Sequence, residues 1–216
     1  MAESKILEKL AQKETDKEKI AAQVIKKPDL LEVILEGLNA KPARVKYPCA
    51  KVIRIISDQN PEMLYPHFDI FVNLLDHENN VLKWEGIYVL ANLARVDDQK
   101  KFEKIFDKYF APICGPVLIT AANVIGGAAK IARVQPRLTE KIAQEILKVE
   151  KAKYKTAECR RVALGQTINT FDEIFVKIKN KEPVIKLVKK QLKNPRPSTR
   201  KKAENFLKKH RLIPSE

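Results

Sequence analysis

The stretch Leu74–Val96, LLDHENNVLKWEGIYVLANLARV, decides how the chain is to be read. It begins at the end of an apolar segment in which Phe68, Ile70, Phe71, Val72, Leu74 and Leu75 supply one broad buried helix face. Asp76, Asn79 and Asn80 follow, and because their side chains bond nearby backbone groups they stop one helix and cap the next. Beyond the cap, Val81, Trp84, Ile87, Leu90, Leu93 and Ala94 recur at steps of three or four, the spacing of a helix face. Gly86 and Ala91 are small enough to admit a neighbouring helix.

The same unit recurs. Ile55-Ile56-Ser57, Leu93-Ala94-Arg95-Val96 and Ile131-Ala132-Arg133-Val134 are spaced by 38 residues, and continuing at that spacing lands on apolar pairs near Ile168 and Leu207. A period of this size with two helices per copy marks an α-solenoid, in which each unit hides its apolar flank against the next.

The central unit resembles the HEAT repeat, whose polar turn containing Asp leads into a second helix with Val, then Leu, Leu and Ala at fixed steps. Asp76, Val81, Leu90, Leu93 and Ala94 carry the match, with Lys83 at the usual basic position. The last pair ends in a segment of the same kind, with Arg200, Ala203 and Leu207 in place. The resemblance implies an all-α, right-handed α-solenoid of about five to six antiparallel helix pairs, HEAT-like throughout.

Read in order, residues 3–13 and 15–27 form an opening pair, capped at Asp16, whose Lys and Glu content suits a terminal unit that shields the stack. Pro28 opens the next helix, which buries Leu30, Leu31, Val33, Ile34 and Leu38. Its partner, about 42–58, contains Pro48, which should bend it or make it start late. Helices follow at 61–76, bent at Pro66, at 79–96, at 98–113 with Phe102, Ile105, Phe106, Tyr109 and Phe110 on one face, and at 115–134. Gly126 and Gly127 lie inside that last helix, where each costs roughly 1 kcal/mol relative to Ala. Something must approach closely there, either the neighbouring helix or a ligand. Pairs at 136–151 with 155–178 and 181–193 with 197–210 complete a single repeat domain over 1–216, with N-terminal capping helices about 3–27 and basic repeats about 151–210.

Charge is unevenly placed. From Lys151 onward 19 Lys and Arg stand against six acidic residues, so this third holds +13 of the net +15 and residues 1–150 hold +2. Such asymmetry points to an acidic or nucleic-acid partner at one end. No apolar run is long enough to cross a bilayer, and charges mix through the first residues, so the expectation is a cytoplasmic chain without membrane attachment. Cys49, Cys114 and Cys159 are widely spaced and read as buried thiols of a reducing compartment rather than metal ligands.

Catalytic signatures are missing from the sequence. It has no His-Glu-x-x-His, no paired Cys-x-x-Cys and no Gly-rich strand-to-helix loop. Among HEAT-like proteins the bacterial alkyl-purine DNA glycosylases do catalyse, using aromatic residues and an Asp on a basic concave surface. Here the one tryptophan, Trp84, falls at a core position. The chain is therefore read as a non-enzyme, needing no cofactor and no metal.

In HEAT-like stacks the second helices line the concave side. Aligned on Ile55, Leu93, Ile131, Ile168 and Leu207, the position before each anchor holds Arg54, Asn92, Lys130 and Thr167, and the position two after holds Ser57, Arg95, Arg133, Thr170 and Lys209. These rows share one helix face. Arg161 and Arg200 stand seven before their anchors, with Arg160 beside the first. The partner-binding residues expected are thus Arg54, Asn92, Arg95, Lys130, Arg133, Arg160, Arg161, Arg200 and Lys209, in a monomeric scaffold for an acidic protein partner that presents an extended or helical segment. The alternative is sequence-independent nucleic-acid binding through the basic C-terminal third.

Overall fold

The computed structural model describes residues 2–212, with side chains from Lys5 onward, and its helices fall into two compact units, 1–105 and 106–216. Among the described residues there are helices and short 3-10 turns and no strand.

Unit 1 opens with α1 (Ala2–Leu10) and α2 (Lys17–Lys26). Asp16 caps α2 as its spacing predicted, accepting from the Glu18 and Lys19 amides. Next come α3 (Leu30–Glu36) and α4 (Ala43–Gln59), which pack on each other, with α1 and α2 also against α4. Leu30, Leu31, Val33, Ile34 and Leu38 are all buried. Pro48 does not delay α4. The helix begins at Ala43 and runs through Pro48, which has no amide hydrogen to donate to the Arg44 carbonyl, so α4 continues at the cost of one intrahelical bond.

The expected bend at Pro66 is a break. Helix α5 (Pro61–Leu64) passes through a 3-10 turn at Tyr65–His67 into α6 (Phe68–Leu74). After the polar turn, α7 (Asn80–Leu93) starts from Asn79, whose side chain accepts from the Val81 and Leu82 amides. Phe68, Phe71, Leu74, Ile87, Leu90 and Leu93 form the shared core, but Ile70 and Val81, expected inside, are about a third exposed. Trp84, expected in the core, is only half-buried. Gly86 is required by packing: a Cβ there would lie 2.8 Å from Leu74 Cβ and 3.0 Å from the Phe71 carbonyl. The unit closes on α8 (Lys101–Lys104). Buried Asp97 accepts from the Lys101 and Phe102 amides at 2.7 and 2.9 Å and from Tyr65 Oη at 2.6 Å. Burial and that acceptor push the Tyr65 phenol up to about 12.

Unit 2 contains α9 (Phe106–Phe110), α10 (Leu118–Val134), α11 (Thr139–Leu147), α12 (Ala157–Ile174), α13 (Glu182–Lys190) and α14 (Pro197–Lys209). The single helix expected over 98–113 is therefore α8 and α9, interrupted at Ile105, which is half-buried while Phe102, Phe106, Tyr109 and Phe110 are buried. Long helices pack in sequence, α10 on α12 and α12 on α14, while α11 and α13 cover one flank. Gly165 permits the α12–α14 approach, since a Cβ there would lie 2.9 Å from Thr199 Oγ1. All five anchors of the 38-residue period, Ile55, Leu93, Ile131, Ile168 and Leu207, are buried.

Candidate partner-binding surfaces

In unit 1 the expected row turns sideways onto the neighbouring helix. Arg54 on α4 places Nη1 3.4 Å from Glu85 Oε1 and its guanidinium 4.9 Å from the centre of the Tyr88 ring, both on α7. Burial raises the Glu85 carboxyl above its ordinary value, opposed by Arg54 and Lys51, and the second carboxylate oxygen is buried with no hydrogen-bond partner among the described residues. Asn92 donates to Ser57 Oγ at 2.9 Å, which donates to the Arg54 carbonyl at 2.7 Å. Arg95 donates to the Asp58 carbonyl at 3.3 Å.

Unit 2 repeats this economy. Arg133 pairs with Glu173 at 3.5 Å, and the Arg133 carbonyl accepts from Lys177 Nζ at 2.9 Å. Lys209 lies 2.8 Å from one oxygen of Asp172 and His210 Nε2 lies 2.9 Å from the other. Arg161 pairs with Glu158 at 3.3 Å, and Arg196 reaches the same carboxylate. Arg196 first, then Arg161, hold the Glu158 carboxyl below the usual range. Arg200 donates to the carbonyls of Asn194 and Pro195 at 2.8 and 3.1 Å, closing the turn before α14. Lys130 and Arg160 are exposed, whereas Thr167 and Thr170 are buried, the latter donating to the Ile125 carbonyl at 2.9 Å. The row thus joins each helix to its neighbour as well as facing outward, which spacing within single helices could not reveal.

One face of α10 is different. Ile119 at its start is 54% exposed, Lys130 and Arg133 near its end are exposed, and Gly126 lies in the middle of the same stripe. A Cβ on Gly126 would have nothing within 4 Å, whereas its neighbour Gly127 is buried. The neighbouring helix therefore does not explain Gly126, contrary to the simplest expectation for the pair. Between α12 and α14 the corresponding faces leave only a shallow cleft of about 160 Å³, bordered by Asn169, Asp172, Lys202, Asn205 and Lys209.

Two larger grooves run between first helices, and sequence reading missed both. In unit 1 a groove of about 360 Å³ between α3 and α6 has Leu35, Leu38, Ile70 and Leu74 as its floor and Glu32 and Glu36 on its rim. His67 Nε2 is 3.6 Å from Glu32 Oε1, and His77, whose Nδ1 accepts from the Asn79 amide at 2.9 Å, stands at one end. In unit 2 a groove of about 340 Å³ between α11 and α13 has Leu147, Pro183 and Leu187 below and Lys148, Lys151, Lys186 and Lys190 around it. Glu150, also on that rim, takes Lys190 at 2.6 Å. Pairs of like charge at four-residue spacing, Glu32 with Glu36 and Lys186 with Lys190, were the available signal.

The cysteines correct an expectation. Cys49 is buried, and burial pushes its thiol up to about 12, but Cys114 is exposed and Cys159 half-buried; all three are free thiols. Among the described residues no group of His, Cys, Asp and Glu is placed to hold a metal, and no helix is long and apolar enough to cross a membrane.

No family model and no curated protein matches this sequence. Solved structures do match its fold. A designed armadillo repeat protein in complex with the peptide (KR)4 superposes with a TM-score of 0.65 at 16% identity, over 95% of this chain and 91% of that one. A second designed armadillo repeat protein gives 0.60 at 16% identity over 94% and 89%. Computationally designed armadillo repeat proteins for modular peptide recognition give 0.61 at 15% identity over 94% and 89%. The fold is an all-α repeat solenoid. Armadillo and HEAT solenoids are close in architecture, and the likeness carries the solenoid without selecting HEAT. Within the solenoid, breaks such as those at Tyr65–His67 and Ile105 divide first helices into short pieces, while the second helices α4, α7, α10, α12 and α14 stay long.

Proposed function

We propose that this chain is a non-catalytic protein-interaction scaffold that holds an acidic segment of its partner against the exposed face of α10. The reading rests on Gly126. A glycine inside a helix costs about 1 kcal/mol relative to Ala, and Gly126 has open space where a methyl group would stand. Packing within the chain does not account for that cost, whereas a partner backbone passing over the helix does. The flanks supply the rest of a contact: exposed Ile119 for an apolar anchor, and for acidic groups Lys130 and Arg133, the latter exposed although it also pairs with Glu173. One designed neighbour holds the basic peptide (KR)4, so a peptide-binding use is compatible with the fold, although the cations here ask for the opposite sign of ligand.

The test is a pair of variants at one position. Gly126→Ala should raise the melting temperature, worth about 1 kcal/mol of stability, while weakening binding to a panel of labelled acidic peptides. Gly126→Trp should abolish that binding with the fold retained by circular dichroism. Unchanged peptide affinities in Gly126→Trp would overturn the reading. So would a preference for duplex DNA, with affinity falling by about 0.9 log units per phosphate contact for each decade of salt.

A further inference from the structure

We infer that the groove between α3 and α6 is a second, independent docking site, and that its occupant is a basic amphipathic helical segment of a partner protein with apolar anchor residues. The argument starts from a local inversion of charge. Lys and Arg number 42 of the 216 residues, yet none lines this groove, and the charged side chains on its rim are Glu32 and Glu36. One turn apart on α3, both are exposed and both face the same side.

Beneath them the floor is apolar. Leu35, Leu38 and Leu74 are buried, and Ile70 stays 36% exposed although it belongs to the strongly apolar run that builds α6. About 360 Å³ is at the low end of the range of ligand pockets, enough for a few side chains rather than a whole small molecule. A helix laid in such a groove presents anchors at i and i+4 to the floor and its flanking positions to the rim. The groove lies within residues 1–150, which hold only +2 of the net charge, so its acidic rim attracts cations without a local excess of positive charge to oppose it. That makes complementarity local, and the partner must be basic beside its anchors.

The probe is a labelled synthetic peptide of about fourteen residues, roughly four helical turns, with leucines at i and i+4 steps flanked by lysines, titrated into the full chain by fluorescence anisotropy. Saturable binding is expected. Glu32→Lys combined with Glu36→Lys should weaken it about ten-fold or more, and Ile70→Ser should weaken it without changing its salt dependence. A peptide with glutamate at every lysine should not compete. Absence of saturable binding, or equal affinity in the double Glu32→Lys, Glu36→Lys chain, would overturn the inference. Because these residues are exposed, circular dichroism should report unaltered folding in each variant. Gly126→Trp should bind the basic peptide like wild type, so loss of one site is distinguishable from loss of the other.

Discussion

The groove between α3 and α6 and the groove between α11 and α13 stand at the same place in their repeats, between consecutive first helices, and they carry opposite signs. Each has a leucine floor that helix packing creates. Their rims are Glu32 and Glu36 in one case and, in the other, Lys148, Lys151, Lys186 and Lys190 with a single acidic residue, Glu150. The difference teaches that the repeat dictates where a groove forms, while exposed positions one turn apart decide what it attracts. Those positions are nearly neutral for folding, because surface substitutions away from packing change stability little.

The comparison can be broken most forcibly through the two cores. Phe71 on α6 and Phe171 on α12 are both fully buried, and truncation of either to Ala should cost about 3–5 kcal/mol, read by urea unfolding. In a solenoid stability is roughly a sum of local terms, so amide exchange should accelerate chiefly in the unit that carries the substitution. Uniform acceleration over the whole chain would mean that the two units share one cooperative core. A smaller effect tests the signs themselves. Lys186→Glu with Lys190→Glu should leave the basic peptide's affinity for the α3/α6 groove within about two-fold of wild type, where Glu32→Lys with Glu36→Lys weakens it about ten-fold. A comparable change from either pair would show that overall charge, not the local rim, governs attraction.

The smallest expected effect is a slope. Glu85 sits partly buried beside Arg54, and burial raises its carboxyl above the ordinary value of 4.5. The folded state therefore holds a proton that the unfolded state has already released, so stability is highest below the unfolded value and declines as pH rises through the folded one. Glu85→Gln should remove that decline, measured as melting temperature against pH from acid to neutral. A steeper slope in the variant would mean that Arg54 outweighs burial.

Much of the architecture was legible because it depends on periodicity and on backbone chemistry that acts locally. The 38-residue recurrence placed all five anchors in the core, and Asp16 and Asn79 cap the helices that their spacing predicted. Expectations failed where a face had to be resolved more finely than a helix turn. Ile70 and Phe71 are adjacent, yet one borders solvent and the other is fully buried. Gly126 and Gly127 likewise differ by about 100° around α10, so one packs and the other looks outward. Ser57 and Thr170 belong to rows expected to present polar groups to a ligand, and both bond a neighbouring helix instead, Ser57 accepting from Asn92 on α7 and Thr170 donating to the Ile125 carbonyl on α10.

By itself the sequence determined an all-helical chain, its repeat length, most of its helix ends and the concentration of positive charge after Lys151. These follow from side-chain spacing and capping, which act within a few residues. Only the tertiary structure decided which cations are tied to carboxylates, where Gly126 is left uncovered and where two grooves of opposite sign open. Those outcomes depend on which residues of distant segments meet, and contact across 35 to 45 positions is set by the packing of whole helices, not by any local pattern.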